Sequence, residues 1–383
     1  MFERIFELAG TLIVVGIALI AFLLPTIVGA MRGVSGIRRG IEGAVLALIG
    51  GLLSRAFISA VLAGGNDSPG ACLVVGWAFF LAPGVIDAVL RVVGQSFVLS
   101  PDTLLMLGGT VGGFTGMMGG IYQIYDWTGL GWLFFPLDVT WALAGNTVGS
   151  LMHILNHGLH PLAPAVNWFR ALFGLNQFSS NWGLHTGDAR SNAHRYADGF
   201  GLRPDYAFTQ GCVMSNLSDP PGADLYRHEF MHVRQGRGFG ACYTLSYLGW
   251  MVVWVVPAII VGIVITGLRG VGVGPNTWCY FNNPWETWAY FVQDKEHPDH
   301  DTRLALNDDP RDRRMIWPRK YVIAWSMAFA AVAFSLAMLA VSSIWFAPAP
   351  QKLPPKQAPK QAAPAPAHRP HAQLLRGTFV RSV

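Results

Sequence analysis

A His-Glu-x-x-His motif is the clearest chemical signal in this sequence. It is formed by His228, Glu229 and His232. On an α-helix the two histidines lie one turn apart on the same face, so both imidazoles can bind one metal ion. Glu229 then lies close enough to accept a proton from a water on that metal. Because a pattern with three fixed positions also recurs by chance, the motif alone fits an ordinary amphipathic helix equally well.

The residues around the motif favour a metal site. Three arginines predict a water-facing helix, and three glycines predict that this helix ends just beyond the motif. The arginines are Arg227, Arg234 and Arg237, and the glycines are Gly236, Gly238 and Gly240.

A candidate third ligand lies further along the chain. Asn283 suits the N-cap of a helix and Pro284 its first turn, which places Glu286 near the start of that helix. Two histidines, one carboxylate and an open fourth position are typical of a catalytic zinc site. Glu286 could instead serve only to stabilise the positive end of its helix. The charged segment 294–301 has more ligating groups, but no helical spacing directs them to one point.

The chain just before the motif predicts a short strand. Residues 206–215 have the composition of a strand that contains one glycine, and a turn at 219–222 separates them from the motif. The free edge of a strand beside a metal can hold an extended peptide by backbone hydrogen bonds. Taken alone, the same residues fit a core strand.

These patterns resemble those of the gluzincin metallopeptidases. Residues 228–235 read H-E-x-x-H-V-x-Q, and residues 283–289 read N-P-x-E-x-x-A. The combination is similar to that of bacterial membrane metallopeptidases and, more distantly, to that of the HtpX-like membrane proteases. The resemblance covers about residues 204–293.

The resemblance implies a zinc ion with His228, His232 and Glu286 as ligands and Glu229 as general base. One position departs from the pattern. The HtpX-like proteases have an aspartate directly after the alanine of their Glu-x-x-Ala motif, whereas this chain has Tyr290. The resemblance therefore does not identify the group that would support one of the two histidines.

The composition predicts a membrane protein. Of the 383 residues, 52% are hydrophobic and only 13% are charged, against about 25% charged in a soluble domain. The net charge of +5 is modest and lacks the interleaved aromatic residues that would suggest nucleic acid as a partner. The four cysteines form no C-x-x-C pair and predict no disulfide framework.

The predicted architecture is an α-helical multi-pass membrane protein with an inserted α+β, zincin-like metallopeptidase domain. Residues 1–130 predict four transmembrane helices, and 131–155 predict either a fifth span or a segment lying on the membrane surface. The metallopeptidase domain follows at 156–318. A last transmembrane helix is predicted at 319–346, and a disordered tail rich in Pro, Ala and Lys at 347–383.

The predicted spans are apolar runs of roughly membrane length. They cover 9–30, 43–63, 71–94 and 103–125. The last of these has glycines at four-residue spacing, which let two helices pack closely in lipid. These glycines are Gly108, Gly112, Gly116 and Gly120.

A further apolar run, 244–268, tests the choice of Glu286. If it crossed the membrane once, Glu286 and the histidines would lie on opposite sides. A ligand at Glu286 therefore requires this run to dip into the membrane and return near Pro257, or to lie in the interface.

Three functions from different classes fit the sequence. The favoured one is a membrane-bound zinc metalloendopeptidase that hydrolyses peptides or membrane proteins, in the cell membrane and with its catalytic domain on the cytoplasmic side. A non-catalytic membrane protein with a structural metal would need a fourth protein ligand, for which Asp224 and Cys212 are candidates. A transporter would use the charged residues Arg55, Asp87 and Arg91 of the apolar runs.

Overall fold

The computed structural model describes most of the chain up to Lys295. The described residues are 34–81, 99–158, 163–172, 189–200, 206–269, 279–280 and 283–295, with parts of 8–23 and 83–89. All of them belong to one compact unit, residues 1–347. The last predicted span, 319–346, and the predicted tail, 347–383, lie outside the described residues. The described part is mostly helical, with one small sheet.

Two long apolar helices form the first layer. Helix α1 spans Val34–Gly64 and helix α3 spans Pro101–Ile121. Ser100 caps α3, because its hydroxyl accepts a hydrogen bond of 3.1 Å from the Thr103 amide. Both helices are long and apolar enough to cross a membrane.

The glycine stripe of α3 packs directly on α1. A Cβ on Gly116 would lie 2.0 Å from the carbonyl oxygen of Leu46, and one on Gly112 would lie 2.5 Å from that of Gly50. Because only glycine fits at such distances, the predicted close packing of this stripe is confirmed. The facing residues of α1 are also small, namely Gly43, Ala47, Gly50 and Ser54.

The run 71–94, predicted as one span, begins differently in the structure. Helix α2 covers Pro69–Val75 and continues as a π-helical turn over Gly76–Phe80. It ends at Leu81, whose φ of 48° lies in the left-handed region. The helical stretch Pro69–Phe80 is about 18 Å long, well short of the roughly 30 Å of a hydrocarbon core.

The segment 131–155 is two helices rather than one. Helix α4 covers Gly131–Val139 and helix α5 covers Leu143–Gly158. They are separated at Thr140, where φ is −130° and ψ is −91°. The Thr140 hydroxyl donates a hydrogen bond of 2.5 Å to the carbonyl of Pro136, a residue that itself interrupts the hydrogen bonding of α4. A further helix, α6, covers Ala163–Leu172.

The sheet has three short strands in the order β1-β3-β2. Strand β1 is His194–Arg195, β2 is Phe208–Gln210 and β3 is Val213–Ser215. Strand β1 runs parallel to β3, whereas β2 runs antiparallel to it. Within the described residues β2 is therefore an edge strand.

The predicted single strand 206–215 is wrong, because the chain turns back in its middle. Gln210 pairs with Val213, so Gly211 and Cys212 form a two-residue hairpin loop. Gly211 has a φ of 57°, a conformation that glycine adopts without strain and that suits tight hairpin turns. Asn146 of α5 holds the turn by accepting a hydrogen bond of 2.9 Å from the Cys212 amide.

The four helices after the sheet carry the motifs. Helix α7 covers Asp224–Phe239, α8 covers Ala241–Val253, α9 covers Val255–Arg269 and α10 covers Pro284–Lys295. Gly240, with a φ of 57°, is the single residue between α7 and α8.

The apolar run 244–268 does not form one continuous helix. It is interrupted at Trp254, the C-cap of α8, rather than at Pro257 itself. The physical reason is that Pro257 has no N–H for the carbonyl of Val253, and its ring would clash with that carbonyl. Helix α8 therefore ends at Val253, three residues after Trp250, whose carbonyl accepts a hydrogen bond from the Trp254 amide.

Helices α8 and α9 expose large apolar side chains. Val252 of α8 is 71% exposed, and Ile263 and Val256 of α9 are 69% and 61% exposed. Exposed apolar surface of this extent is unfavourable in water and marks an interaction with protein or lipid. Each helix is about 20 Å long, which is too short for one crossing.

Candidate metal centre

Helix α7 places both histidines and the glutamate of the motif in the protein interior. His228, Glu229 and His232 are all buried. The helix passes through Gly236 and Gly238 and ends only at Gly240, so the prediction that all three glycines stop it is wrong for the first two. A Cβ on Gly240 would lie 2.5 Å from the carbonyl oxygen of Trp141, which explains why a glycine ends the helix here.

The structure brings Glu286 to the two histidines. Its carboxylate lies 3.1 Å from His228 Nε2 and 3.3 Å from His232 Nε2. The two Nε2 atoms are 3.3 Å apart. Among the described residues, these three form the one group of His, Cys, Asp or Glu side chains that could hold a metal ion, with ligand atoms all within 4.8 Å of one another.

The start of α10 aims Glu286 at this point. The Asn283 side chain accepts a hydrogen bond of 3.0 Å from the Trp285 amide, as expected for an N-cap. Pro284 is the first residue of the helix, and Glu286 lies in its first turn. Trp285 is fully buried and packs with Met231 of α7, which fixes α10 against the motif. The predicted Asn-Pro helix start is confirmed.

Gln235 orients His232. Its side-chain oxygen lies 2.9 Å from His232 Nδ1, and its amide nitrogen donates a hydrogen bond of 3.0 Å to the Trp285 carbonyl. Since the amide oxygen can only accept, Nδ1 carries a proton, and in the neutral imidazole it is Nε2 that has the lone pair for a metal. Gln235 thus joins α7 to α10 and selects the tautomer that a metal requires. Its position three residues after His232 on one helix face is the sequence signal for this role.

His228 is supported by packing instead. The ring of Tyr290 lies against it, with centroids 4.3 Å apart and planes at 57°. Within the described part of the chain, His228 Nδ1 is buried without a hydrogen-bond partner. The residue that departs from the sequence pattern, Tyr290, therefore contacts His228 through its ring.

The charges of the centre are coupled. Burial alone would raise the pKa of Glu286, but His232 and then His228 hold it well below its usual range. Burial alone would lower the pKa of His232, yet the Glu286 carboxylate raises it to about 9. Tyr247 of α8 also donates a hydrogen bond of 2.7 Å to Glu286. Without a metal, the centre is therefore an imidazolium–carboxylate pair.

Glu229 faces the sheet rather than the ligand group. Its carboxylate accepts a hydrogen bond of 2.5 Å from the hydroxyl of Thr209 in β2. Thr209 is itself buried, so this bond links the motif helix to the edge strand. The predicted strand next to the helix therefore has a direct contact with the candidate general base, although Thr209 itself had no distinguishing signal in the sequence.

A cavity of about 510 Å³ opens beside the centre. Glu229, His232 and Glu286 lie in its wall, as do residues 206–210, which include all of β2. The rest of the lining is largely apolar or aromatic, from Leu81, Val148, Tyr243, Tyr247, Leu248, Met251 and Tyr280. The edge strand and the candidate ligands therefore face the same space.

A buried ion pair anchors the C-terminal half of α7. Arg237 donates two hydrogen bonds to the carboxylate of Asp138 in α4, from Nε at 2.8 Å and from Nη2 at 2.6 Å. Its Nη2 also donates to the carbonyl of Asn192. Its guanidinium lies 4.3 Å from the ring centre of Phe134. The prediction that Arg237 faces water is wrong, because its partner Asp138 lies far away in the sequence. Arg234 is exposed, as expected.

Other candidate residues lie elsewhere. Asp224 pairs with Arg227 at 3.5 Å in the first turn of α7. Cys212 lies in the hairpin loop, where burial and then Asp138 raise the pKa of its thiol to about 12. Neither belongs to the candidate metal group. Most of the charged segment 294–301 lies outside the described residues.

Comparison with known proteins finds no match for this chain among protein-family models, curated proteins or solved structures.

Proposed function

We propose that this protein is a membrane-bound zinc metallopeptidase. The observation that carries the proposal is the buried group of His228, His232 and Glu286, of which His232 and Glu286 line one cavity together with Glu229. The same cavity is then bordered by metal ligands, by a carboxylate that can accept and donate a proton, and by a strand edge that can bind a peptide.

The separations of the ligand atoms suit zinc. Tetrahedral ligands about 2.0–2.1 Å from a zinc ion are about 3.3 Å apart. The two Nε2 atoms are 3.3 Å apart, and each lies 3.1–3.3 Å from a carboxylate oxygen of Glu286, Oε2 for His228 and Oε1 for His232. When bound, zinc lowers the pKa of a coordinated water and polarises a carbonyl group. Three protein ligands leave one position open for that chemistry.

The side chains around the ligands have distinct tasks. Glu229 accepts a proton at its carboxylate and passes it to the leaving amine, while Thr209 holds the carboxylate in place. Gln235 and Tyr247 orient His232 and Glu286. The free edge of β2 binds the substrate backbone in extended form beside them.

The apolar surface supports a multi-pass placement in the membrane. Helices α1 and α3 are long enough to span, and α8 and α9 form a broken pair that enters the bilayer from one side. The cavity adjoins α8 through Leu248 and Met251, so the site is within reach of membrane proteins as well as peptides. The arginines between residues 32 and 39 favour the cytoplasmic side for the catalytic domain.

A structural metal site is the second candidate. Such sites are usually closed by four protein ligands, whereas the described residues supply three and a cavity adjoins them. The open position therefore favours catalysis.

Metal analysis tests the ligand assignment. His228→Ala or His232→Ala should reduce the zinc bound to the purified chain by one ion, because two ligands hold zinc weakly. Arg234→Ala, an exposed change on the same helix, is the matched control and should keep all of its zinc. An undiminished zinc content in either histidine variant would show that the ligands lie elsewhere.

Glu229→Gln tests the reaction itself. The amide keeps the size of the side chain but cannot accept the proton, so cleavage of a quenched-fluorescence peptide library should fall at least about a hundredfold while zinc is retained. Cleavage at the original rate by the variant would exclude Glu229 as the general base.

A further inference from the structure

A second cluster of histidines and tyrosines lies apart from the metal centre. It consists of Tyr122, His153, His157, His194 and Tyr196, and is called the His-Tyr cluster below. Tyr122 follows α3, the first two histidines belong to α5, and the last two residues lie in or directly after β1. His153, His194 and Tyr196 are buried, while His157 is exposed and gives the cluster access to solvent.

The polar atoms of this cluster converge on one phenol. Tyr196 Oη lies 2.7 Å from His153 Nδ1 and 2.8 Å from His157 Nε2. Tyr122 Oη also contacts His157 Nε2. His153 and His157 are four residues apart on α5, the same spacing as His228 and His232 on α7.

The packing leaves one imidazole nitrogen unsatisfied. The ring of His194 lies 4.3 Å from that of Tyr122, 4.5 Å from that of Tyr196 and 5.1 Å from that of His153. Among the described residues, its buried Nε2 has no hydrogen-bond partner. Buried polar atoms normally have hydrogen-bond partners, so an unsatisfied nitrogen beside two further imidazoles and two phenols points to a bound ion or water in this cluster.

We propose that the His-Tyr cluster binds a second metal ion, copper(II), through His153 Nδ1, His157 Nε2 and the phenolate of Tyr196. Two ligands about 2.0 Å from a metal and at right angles to each other are about 2.8 Å apart. The separations of 2.7 Å and 2.8 Å between the Tyr196 oxygen and the two imidazole nitrogens match that value.

The donor set favours copper(II) over other metals. Imidazole nitrogen and phenolate oxygen 2.7–2.8 Å apart suit adjacent positions of a tetragonal ion, whereas the separations of 3.3 Å at the first centre are those of a tetrahedron. The cluster contains no carboxylate and no thiolate, so its anionic ligand has to be a phenolate, and Tyr196 is the phenol that contacts both histidines. The two centres share no ligand, and this proposal is independent of the proposed peptidase activity.

The test removes the first centre and counts copper at the second. The full-length chain with His228→Ala and His232→Ala is stripped with a chelator and titrated with copper(II). We expect one copper ion per chain, with a visible phenolate-to-copper charge-transfer band. Adding His153→Ala and His157→Ala should abolish both the binding and the band.

Tyr196→Phe separates the phenolate from the imidazoles. This variant should keep weaker copper binding through the two histidines but lose the charge-transfer band. Tyr125→Phe is the matched control, because Tyr125 is also buried but donates its hydrogen bond to Asp138, outside the cluster. It should keep both the copper and the band.

Two results overturn the proposal: no copper bound when the first centre is absent, or a band that persists in Tyr196→Phe. If the variants do not fold, the unaltered chain decides the question. It should bind two copper ions and show the band, and a single ion or an absent band overturns the proposal there as well.

Discussion

At the scale of single residues, the two histidines of the first centre are held in different ways. His232 is fixed by a hydrogen bond to Gln235, whereas His228 is fixed by the ring of Tyr290. A hydrogen bond selects one tautomer, but a ring contact fixes only the orientation. The sequence pattern pointed to both positions, since Gln235 belongs to the motif and Tyr290 departs from it. Which histidine each residue serves depended on the docking of α10 and could not be read from spacing.

Zinc binding should release a proton at neutral pH. The pKa of His232 in the metal-free protein is raised to about 9, so its imidazole is protonated at pH 7 and must lose that proton to bind zinc. Zinc affinity should therefore rise about tenfold per pH unit from pH 7 and level off above pH 9. Glu286, whose pKa is lowered, stays ionised over this range and adds no proton.

Calorimetry in buffers of different ionisation enthalpy measures this proton directly. At pH 7 the apparent binding enthalpy should differ between buffers by the amount expected for one proton per zinc. At pH 10 the proton from His232 should be absent. Equal numbers of protons at both values would show that His232 is already neutral at pH 7.

At the scale of helices and strands, the sequence predicted features that depend on neighbouring residues, but it missed features that depend on residues far away in the chain. The motif helix and the Asn-Pro start of α10 were predicted because their signals lie within a few residues. The burial of Arg237 was missed because it depends on Asp138, which comes from another helix. The hairpin at Gly211 was missed because a single glycine in an apolar run also fits a continuous strand. The end of α8 was predicted only approximately. Pro257 indicated that the apolar run is interrupted, but the helix ends at Val253, four residues earlier.

Gly116 and Gly113 of α3 allow a controlled test of how α1 packs on α3, because only the first of them is in close contact with α1. A Cβ on Gly116 would overlap the Leu46 carbonyl at 2.0 Å, whereas one on Gly113 would lie 3.4 Å from its nearest neighbour, an ordinary contact. Gly116→Ala should therefore destabilise the protein by about 1–3 kcal/mol through overpacking. Gly113→Ala should be neutral or stabilising by up to about 1 kcal/mol, because alanine favours the helix.

Thermal unfolding of the two variants in the same detergent measures the difference. The midpoint for Gly116→Ala should fall below that of the unchanged chain, while that of Gly113→Ala should stay equal or rise. Equal midpoints for both variants would mean that α1 and α3 do not pack through this stripe.

At the scale of the whole molecule, the position of Glu286 constrains the topology. Because Glu286 lies beside the histidines, the chain between α7 and α10 has to return to the side it left if α8 and α9 enter a membrane. The break at Trp254 allows this, since two helices of about 20 Å can enter and leave one leaflet. The sequence predicted that a ligand at Glu286 requires an interruption of the apolar run, and the structure shows that this interruption is at Trp254.

Cysteine labelling tests that topology without a substrate. Single cysteines at Arg234 and at Thr302, in a chain without its four native cysteines, should react with an impermeant thiol reagent from the same side of the membrane. Arg234 is chosen because it is exposed on α7, whereas the neighbouring Arg237 is buried. Labelling from opposite sides would remove Glu286 from the metal centre.

The single-residue junction at Gly240 has a mechanical consequence. Helix α7 carries both histidines, and α8 carries Tyr247, whose phenol donates a hydrogen bond to Glu286. Near Tyr247 on α8 are the exposed apolar side chains Leu248 and Val252. A bilayer that is too thin or too thick tilts such helices, and a tilt of α8 about Gly240 moves Tyr247 relative to Glu286. We therefore expect zinc affinity in vesicles to vary with the acyl-chain length of the lipid. Tyr247→Phe, which lacks the hydroxyl, should lose that dependence.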